Sequence, residues 1–282
     1  MAFKIKVEDR VPTYPGRVKL VKVSGTTDTY TLTRDDMPIT EGTPINKVLF
    51  DHKADTLTEN VIVYVSTTGS DATGLGTIDS PFATIQKAVN ALPKHLGGYT
   101  AEISVGFGTY AERVIVDGFS GGKLVVGRPG DVFTINGIEI ANCTLVETNI
   151  YHIERATGSS KPLFLVTGGG NVVVVSNMSL NGLDMGVTGV IVERGSHFVV
   201  GSNITLTVNN CAVTVFAQWC SFASIGQITG SGNMLGMAAA QGGIVSYKTD
   251  TTEKMWSNSA DTGGLVLTAK NSTDLSDATL DL

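Results

Sequence analysis

Acid–base chemistry on a polymer needs two carboxylates at a set separation, one to donate a proton and one to accept it or to attack. Two pairs here have spacings that a repeating fold would stack on neighbouring rungs: Glu112 with Glu139, and Asp131 with Glu154. The plainer alternative for each is a pair of solvated loop carboxylates. No Asp-x-Asp or denser acidic group occurs between Gly118 and Asp250, so a calcium site has little support there. The arginines of that region and its border, Arg113, Arg128, Arg155 and Arg194, are dispersed.

Other chemistry-bearing residues are sparse. His52, His95, His152 and His197 lack metal-ligand spacing, and no Gly-x-Ser-x-Gly, Walker or dinucleotide fingerprint occurs, so neither a metal nor a cofactor is expected. Gly168-Gly169-Gly170 suits a tight turn better than a phosphate cradle. Glu193, Arg194 and His197 flank Gly195-Ser196 as a compact ionisable cluster, and we read them as a charged surface turn. Phe216, Trp219, Phe222, Tyr247 and Trp256 gather in the C-terminal third. Trp219 and Trp256 are candidates for stacking on sugar rings, while Phe222 is expected to point into a coil or a subunit contact.

The 282 residues carry 26 acidic and 20 basic side chains, a net charge of -6, which gives no general attraction for nucleic acid or anionic lipid. Length and a 42% hydrophobic content allow a large core. With 33 glycines and abundant threonine and valine, the composition suits many short strands joined by turns and argues against an all-helical fold. Cys143, Cys211 and Cys220 match no redox or metal pattern and are expected to be buried thiols. Met1–Arg10 alternates charged with apolar residues, and no run approaches the roughly 20 apolar residues of a spanning helix. The expectation is a soluble chain made in the cytoplasm, unless it travels within a larger particle, with no membrane insertion.

Three regions position these residues. Residues 1–59 read as a small module: a hairpin over Gly16–Arg34, broken at Ser24–Asp28, then a helix from Thr43 and Pro44 to about Leu57. From residue 60 a β-rich run, Val61–Ser66, leads through a glycine-punctuated loop to Ser80-Pro81, which reads as the start of a helix over 80–93. Its apolar stripe is Phe82, Ile85, Val89 and Leu92, and Pro93 with Gly97 and Gly98 ends it. Short strands follow, among them Glu102–Val105, Arg113–Val116, Lys123–Val126, Thr144–Glu147, Asn171–Val175 and His197–Val200. Beyond residue 250 the polar tail 251–282, with a strand candidate at Gly264–Thr268, is expected to be a cap or an oligomerisation segment.

An internal repeat appears with an amide, an apolar and a hydroxyl residue as anchors: Asn149-Ile150-Tyr151, Asn177-Met178-Ser179, Asn203-Ile204-Thr205 and Gln227-Ile228-Thr229, each separation slightly shorter than the one before. A near-constant period with drifting insertions is the mark of a solenoid. Leucine-rich repeats lack their ladder here, and propeller blades need longer repeats. The fold expected is therefore all-β, a parallel β-helix.

The stretch from Tyr64 to Val116, with YVSTTGSDATGLGTIDSPFATIQKAV and AEISVGFGTYAERVIV, resembles the entrance of pectin-lyase-like right-handed β-helix proteins. That likeness implies a right-handed coil plugged by a short capping helix; it implies little about function, because the fold serves lyases, hydrolases and phage tail spikes alike. Val7-Glu8-Asp9-Arg10-Val11-Pro12, Pro15-Gly16-Arg17-Val18 and Gly42-Thr43-Pro44-Ile45-Asn46 are similar to N-terminal modules of tail fibres and other minor structural proteins of phages and prophages of Gram-positive bacteria. In such proteins the module often docks to the virion, and an elongated β-helix, commonly a homotrimer, faces the host.

The resemblance implies a non-enzymatic virion tail protein of the fibre or receptor-binding kind. Its partners would be two further copies of itself, other tail or baseplate proteins through residues 1–59, and host cell-surface polysaccharide, with no nucleic acid. Trimer formation would bury outer apolar residues and leave Thr, Ser and Asn to face glycans. One alternative is a tail-spike depolymerase, a glycoside hydrolase or lyase, cutting polysaccharide with a pair such as Asp131 and Glu154. Another is a purely structural baseplate or capsid decoration protein.

Overall fold

The computed structural model describes residues 56–249 continuously, and outside them the segments 11–12, 18–22, 30–34, 38–40, 259–261, 263–270 and 278–281. The chain divides into two compact units, residues 1–53 and 54–282. In the first, Val18–Lys22 pairs antiparallel with Tyr30–Arg34, from Val18 opposite Arg34 to Lys22 opposite Tyr30, which is the expected hairpin. The expected helix from Thr43 falls outside the described residues except at Thr56 and Leu57.

The second unit is a parallel β-solenoid with three sheet faces. On the first face Ala101, Leu124, Val146, Val172, Phe198, Ala223, Val245 and Val266 stack one above another, a single residue from each coil. All of them point inward and are buried. On the second face Ile135, Ile153, Leu180 and Val208 stack inside; on the third, Val114, Ile138, Phe164, Val190, Val215 and Met237 do. Each coil thus closes its core only against the coils above and below. Gly108–Asp117 and Phe133–Ala141 run through the corner between the second and third faces; His197–Asn209 and Phe222–Thr229 run through the corner between the first and second.

The anchors proposed for the repeat lie on the right face but slip in register. Ser179 pairs with His152 and with Thr207, and Thr207 pairs in turn with Thr229. Tyr151 is therefore one position early and Thr205 two early, the second offset arising at the irregularity between Val200 and Thr205.

The entrance is closed by helix α1, Ile85–Ala91, which starts later than the expected Ser80. Two competing demands hold Ser80–Thr84 out of the helix. Phe82 pairs its backbone with the strand Val61–Val65, its amide donating to Tyr64 O at 3.0 Å while Ser66 N donates to Phe82 O at 2.9 Å. Thr84, extended at φ -123°, is the true N-cap, its hydroxyl accepting from Lys87 N at 3.1 Å. Phe82, Ile85, Val89 and Leu92 are all buried, as the stripe required. At the other end Ser259–Asp261 and Leu265–Lys270 extend the parallel ladder, and Ala278–Asp281 pairs antiparallel with Leu265–Lys270, covering that edge of the first face.

Candidate functional site

The four candidate carboxylates occupy separate positions. Glu112 accepts from the amides of Ile85 (2.8 Å) and Gln86 (3.0 Å), so both its oxygens serve the start of α1. Asp71, from the preceding loop, accepts from the amides of Ala83 (2.8 Å) and Thr84 (3.0 Å) and from the Thr84 hydroxyl (2.6 Å). With Thr84 itself, the two acids satisfy the successive amides from Ala83 to Lys87, several of which an isolated short helix leaves to water. Burial pushes the Glu112 carboxyl up from its ordinary range; the two amides oppose this, and the nearby Asp71 charge adds to it. A shallow hollow of about 210 Å³ adjoins Glu112, lined also by Thr67, Thr84, Thr109 and Tyr110. The Tyr110 hydroxyl there donates to Gly106 O at 2.9 Å, and burial pushes its pKa up to about 12.

Glu139 sits on the third face opposite Ile115, because the ladder shifts between Tyr110 and Arg113, and its carboxylate is 4.0 Å from Arg113. Arg113 spends one donor on Pro162 O at 2.6 Å, and burial lowers its pKa. Asp131 fastens a turn, one oxygen accepting from the amides of Val105 (2.8 Å) and Arg128 (2.7 Å). Glu154 is exposed on the second face, 3.7 Å from His152, and accepts from Asn181 at 3.5 Å. Asp131 precedes Thr134, whose partner is His152, whereas Glu154 follows His152; the register does not set the two acids opposite each other.

The outer sides of the faces differ in chemistry. Alternation along a strand puts every second residue outside. On the second face these are Thr134, His152, Ser179, Thr207 and Thr229 in one column, with Glu154, Asn181 and Asn209 in another. Their side chains bond along the axis: Thr207 with Thr229 at 3.1 Å, and nearby Thr205 donating to Gln227 at 3.1 Å. On the third face the outer column runs Ile115, Glu139, Leu165, Ile191 and Phe216, with Val213 opposite Leu235 beside it. The first face is mixed: Val173, Val199, Phe222 and Ile244 alternate with Asn171, His197, Ser224 and Ser246. Phe222 is half-buried on this outer side, its ring edge-on to His197 with centroids 6.4 Å apart.

Between the third and first faces the chain turns through a left-handed residue on coil after coil: Gly118, Asn142, Gly168, Arg194, Trp219 and Gln241. Gly168 and Gly169, at φ 64° and 78°, make the tight turn expected of the triglycine. Rung-to-rung bonds tie the column, with Gly169 N donating to Arg194 O and Gly195 N to Trp219 O. The Glu193–Arg194 turn therefore does not stand alone. Arg194 lies over Trp219, 5.6 Å from guanidinium carbon to ring centroid, and Glu193 accepts from Thr167 (3.1 Å) and Gln218 (2.9 Å) on the flanking coils. His197 bonds instead to Asn171 at 2.7 Å. The step from Arg194 to Trp219 equals one coil, so the sequence itself carries a signal for their contact.

Trp256 lies outside the described residues. Cys143 and Cys211 are buried, with burial pushing both thiols up, Cys211 to about 11; Cys220 is exposed at the corner, a correction to the expectation for all three. Among the described residues no helix is long and apolar enough to cross a membrane. No protein-family model, curated protein or solved structure matches the chain.

Proposed function

We propose that the chain is a virion tail protein of a phage or prophage, of the fibre or receptor-binding kind, whose solenoid assembles as a homotrimer and contacts host surface glycan. Residues 1–59 attach it to other tail or baseplate proteins. The observation that carries this reading is the division of the outer surface: a hydroxyl and amide ladder on the second face, and on the third a column that is aliphatic and aromatic except for Glu139. Partly exposed Leu165, Ile191 and Phe216 gain by burial against a straight partner with the same axial repeat, and another copy of this solenoid is such a partner. The second face offers regularly spaced donors and acceptors, which suits a polyhydroxylated polymer lying along the axis.

The test is binding of the labelled full-length chain to intact Gram-positive cells, before and after enzymatic removal of their surface polysaccharide. Binding that disappears with the polysaccharide is the expected result. A chain that binds no cells contradicts the receptor-binding part and leaves a structural particle component; release of reducing ends from the polysaccharide would transfer the reading to a depolymerase.

A further inference from the structure

The left-handed corner column does not use one residue type throughout. Gly118 and Gly168 adopt φ of 75° and 64° without steric cost, and Asn142 at 53° tolerates the region well. The successive coils at Arg194, Trp219 and Gln241 hold φ of 58°, 52° and 51° with large side chains, which this region disfavours. Strain accepted where neighbouring coils avoid it marks a position whose side chain has a use.

The side chains of the first two project from the coil. Trp219 is 42% exposed, and the Arg194 side chain is 65% exposed. Glu193 orients the guanidinium from one side, with its carboxylate 3.8 Å from Arg194 Nε, but both its oxygens are held by Thr167 and Gln218. The terminal guanidinium nitrogens make no hydrogen bond among the described residues. Toward the preceding coil the corner is Gly168-Gly169, and a side-chain carbon placed on Gly169 would meet nothing within 4 Å, so the space beside Arg194 is open.

We infer that this corner binds an acidic saccharide, a pyranose ring stacking on the part of Trp219 that Arg194 leaves uncovered while the sugar's carboxylate pairs with the Arg194 guanidinium. The indole supplies a flat apolar surface for the C–H face of the ring, and the guanidinium supplies a planar fork matched to a carboxylate. With a net charge of -6 the chain as a whole does not draw anions, so selection rests on this one oriented cation. The inference depends on the glycan-binding reading above and narrows it to uronate-type sugars at one corner.

The test uses the full-length chain, calorimetric titration with a hyaluronan hexasaccharide, and maltohexaose as the neutral control. Arg194→Gly and Trp219→Gly are the informative variants, because glycine relaxes the left-handed backbone and keeps the coil folded, which a thermal melt checks. Hyaluronan should bind in preference to maltohexaose, and each variant should weaken it at least about tenfold, since a charge-assisted pair or a ring stack contributes that much. Equal binding of the two sugars, no binding of hyaluronan, or unchanged binding by either folded variant overturns the inference. If wild type and variants bind bacterial cells alike, the broader glycan reading survives that failure; if none binds cells or sugars, both fall.

Discussion

The second and third faces share an interior and differ outside. Within, Ile135, Ile153, Leu180 and Val208 under one face match Ile138, Phe164, Val190 and Val215 under the other, all with no exposed surface. Outside, Thr134, His152, Ser179, Thr207 and Thr229 on one contrast with Ile115, Leu165, Ile191 and Phe216 on the other, where Glu139 interrupts the apolar column beside Arg113. The coil needs its inward residues to fold, and it leaves the outward ones free. Outward chemistry is therefore free to differ between faces, and under the proposed function the third face is the one expected to meet another chain and the second the one expected to stay open to glycan.

The largest expected effects lie in the shared interior. Phe164→Ala, which removes a ring 5.1 Å from that of Phe198, should cost about 3–5 kcal/mol in a urea melt, and Leu180→Ala about 2–5 kcal/mol. Similar losses under both faces sharpen the comparison; a negligible loss under either one breaks it.

The entrance comes next, because its order rests on two acids and not on packing alone. Asp71→Ala frees three donors and should lower stability by about 1–3 kcal/mol. Glu112 carries a pH signature. Its folded-state pKa is raised, so the native state holds the proton more tightly than the unfolded chain, and stability falls as pH rises from the ordinary glutamate range through the raised value. Glu112→Gln should flatten that part of the stability–pH curve, and an unchanged slope would show that Glu112 is not its source.

The smallest effects on folding belong to the outer columns. Ile191→Lys and Thr207→Lys, measured at concentrations low enough to keep chains apart, should each change stability by about 1 kcal/mol or less. Arg194→Gly should fall in the same range, as relief of the left-handed backbone is offset by the lost contact with Trp219.

Much of the fold was legible in the sequence because burial imposes a repeat. The apolar stripe of α1, the hairpin, Lys123–Val126 and the near-constant length of the coils all follow from where carbon must be buried. Register was not legible, because a single irregular position shifts it. The ladder around Tyr110 and Arg113 is shorter per coil than the separation of Glu112 from Glu139, and the slip between Tyr110 and Arg113 shortens it by one residue more, so Glu139 lies opposite Ile115 and not opposite Glu112. The start of α1 was masked in the same way: Ser80-Pro81 has the composition of a helix start, but Phe82 is claimed by backbone pairing with Tyr64 and Ser66. Cap partners from outside the helix, Asp71 in the preceding loop and Glu112 in the strand Gly108–Asp117, leave no local mark, whereas the Arg194–Trp219 contact was accessible from its one-coil spacing.

The most direct test of the division between faces is the solution mass of the full-length chain by light scattering, beside Ile191→Lys on the third face and Thr207→Lys on the second. The account predicts a mass three times the 29.6 kDa of one chain, reduced to a single chain by Ile191→Lys and unchanged by Thr207→Lys. A wild-type mass of 29.6 kDa, or a trimer broken by Thr207→Lys and not by Ile191→Lys, would contradict it.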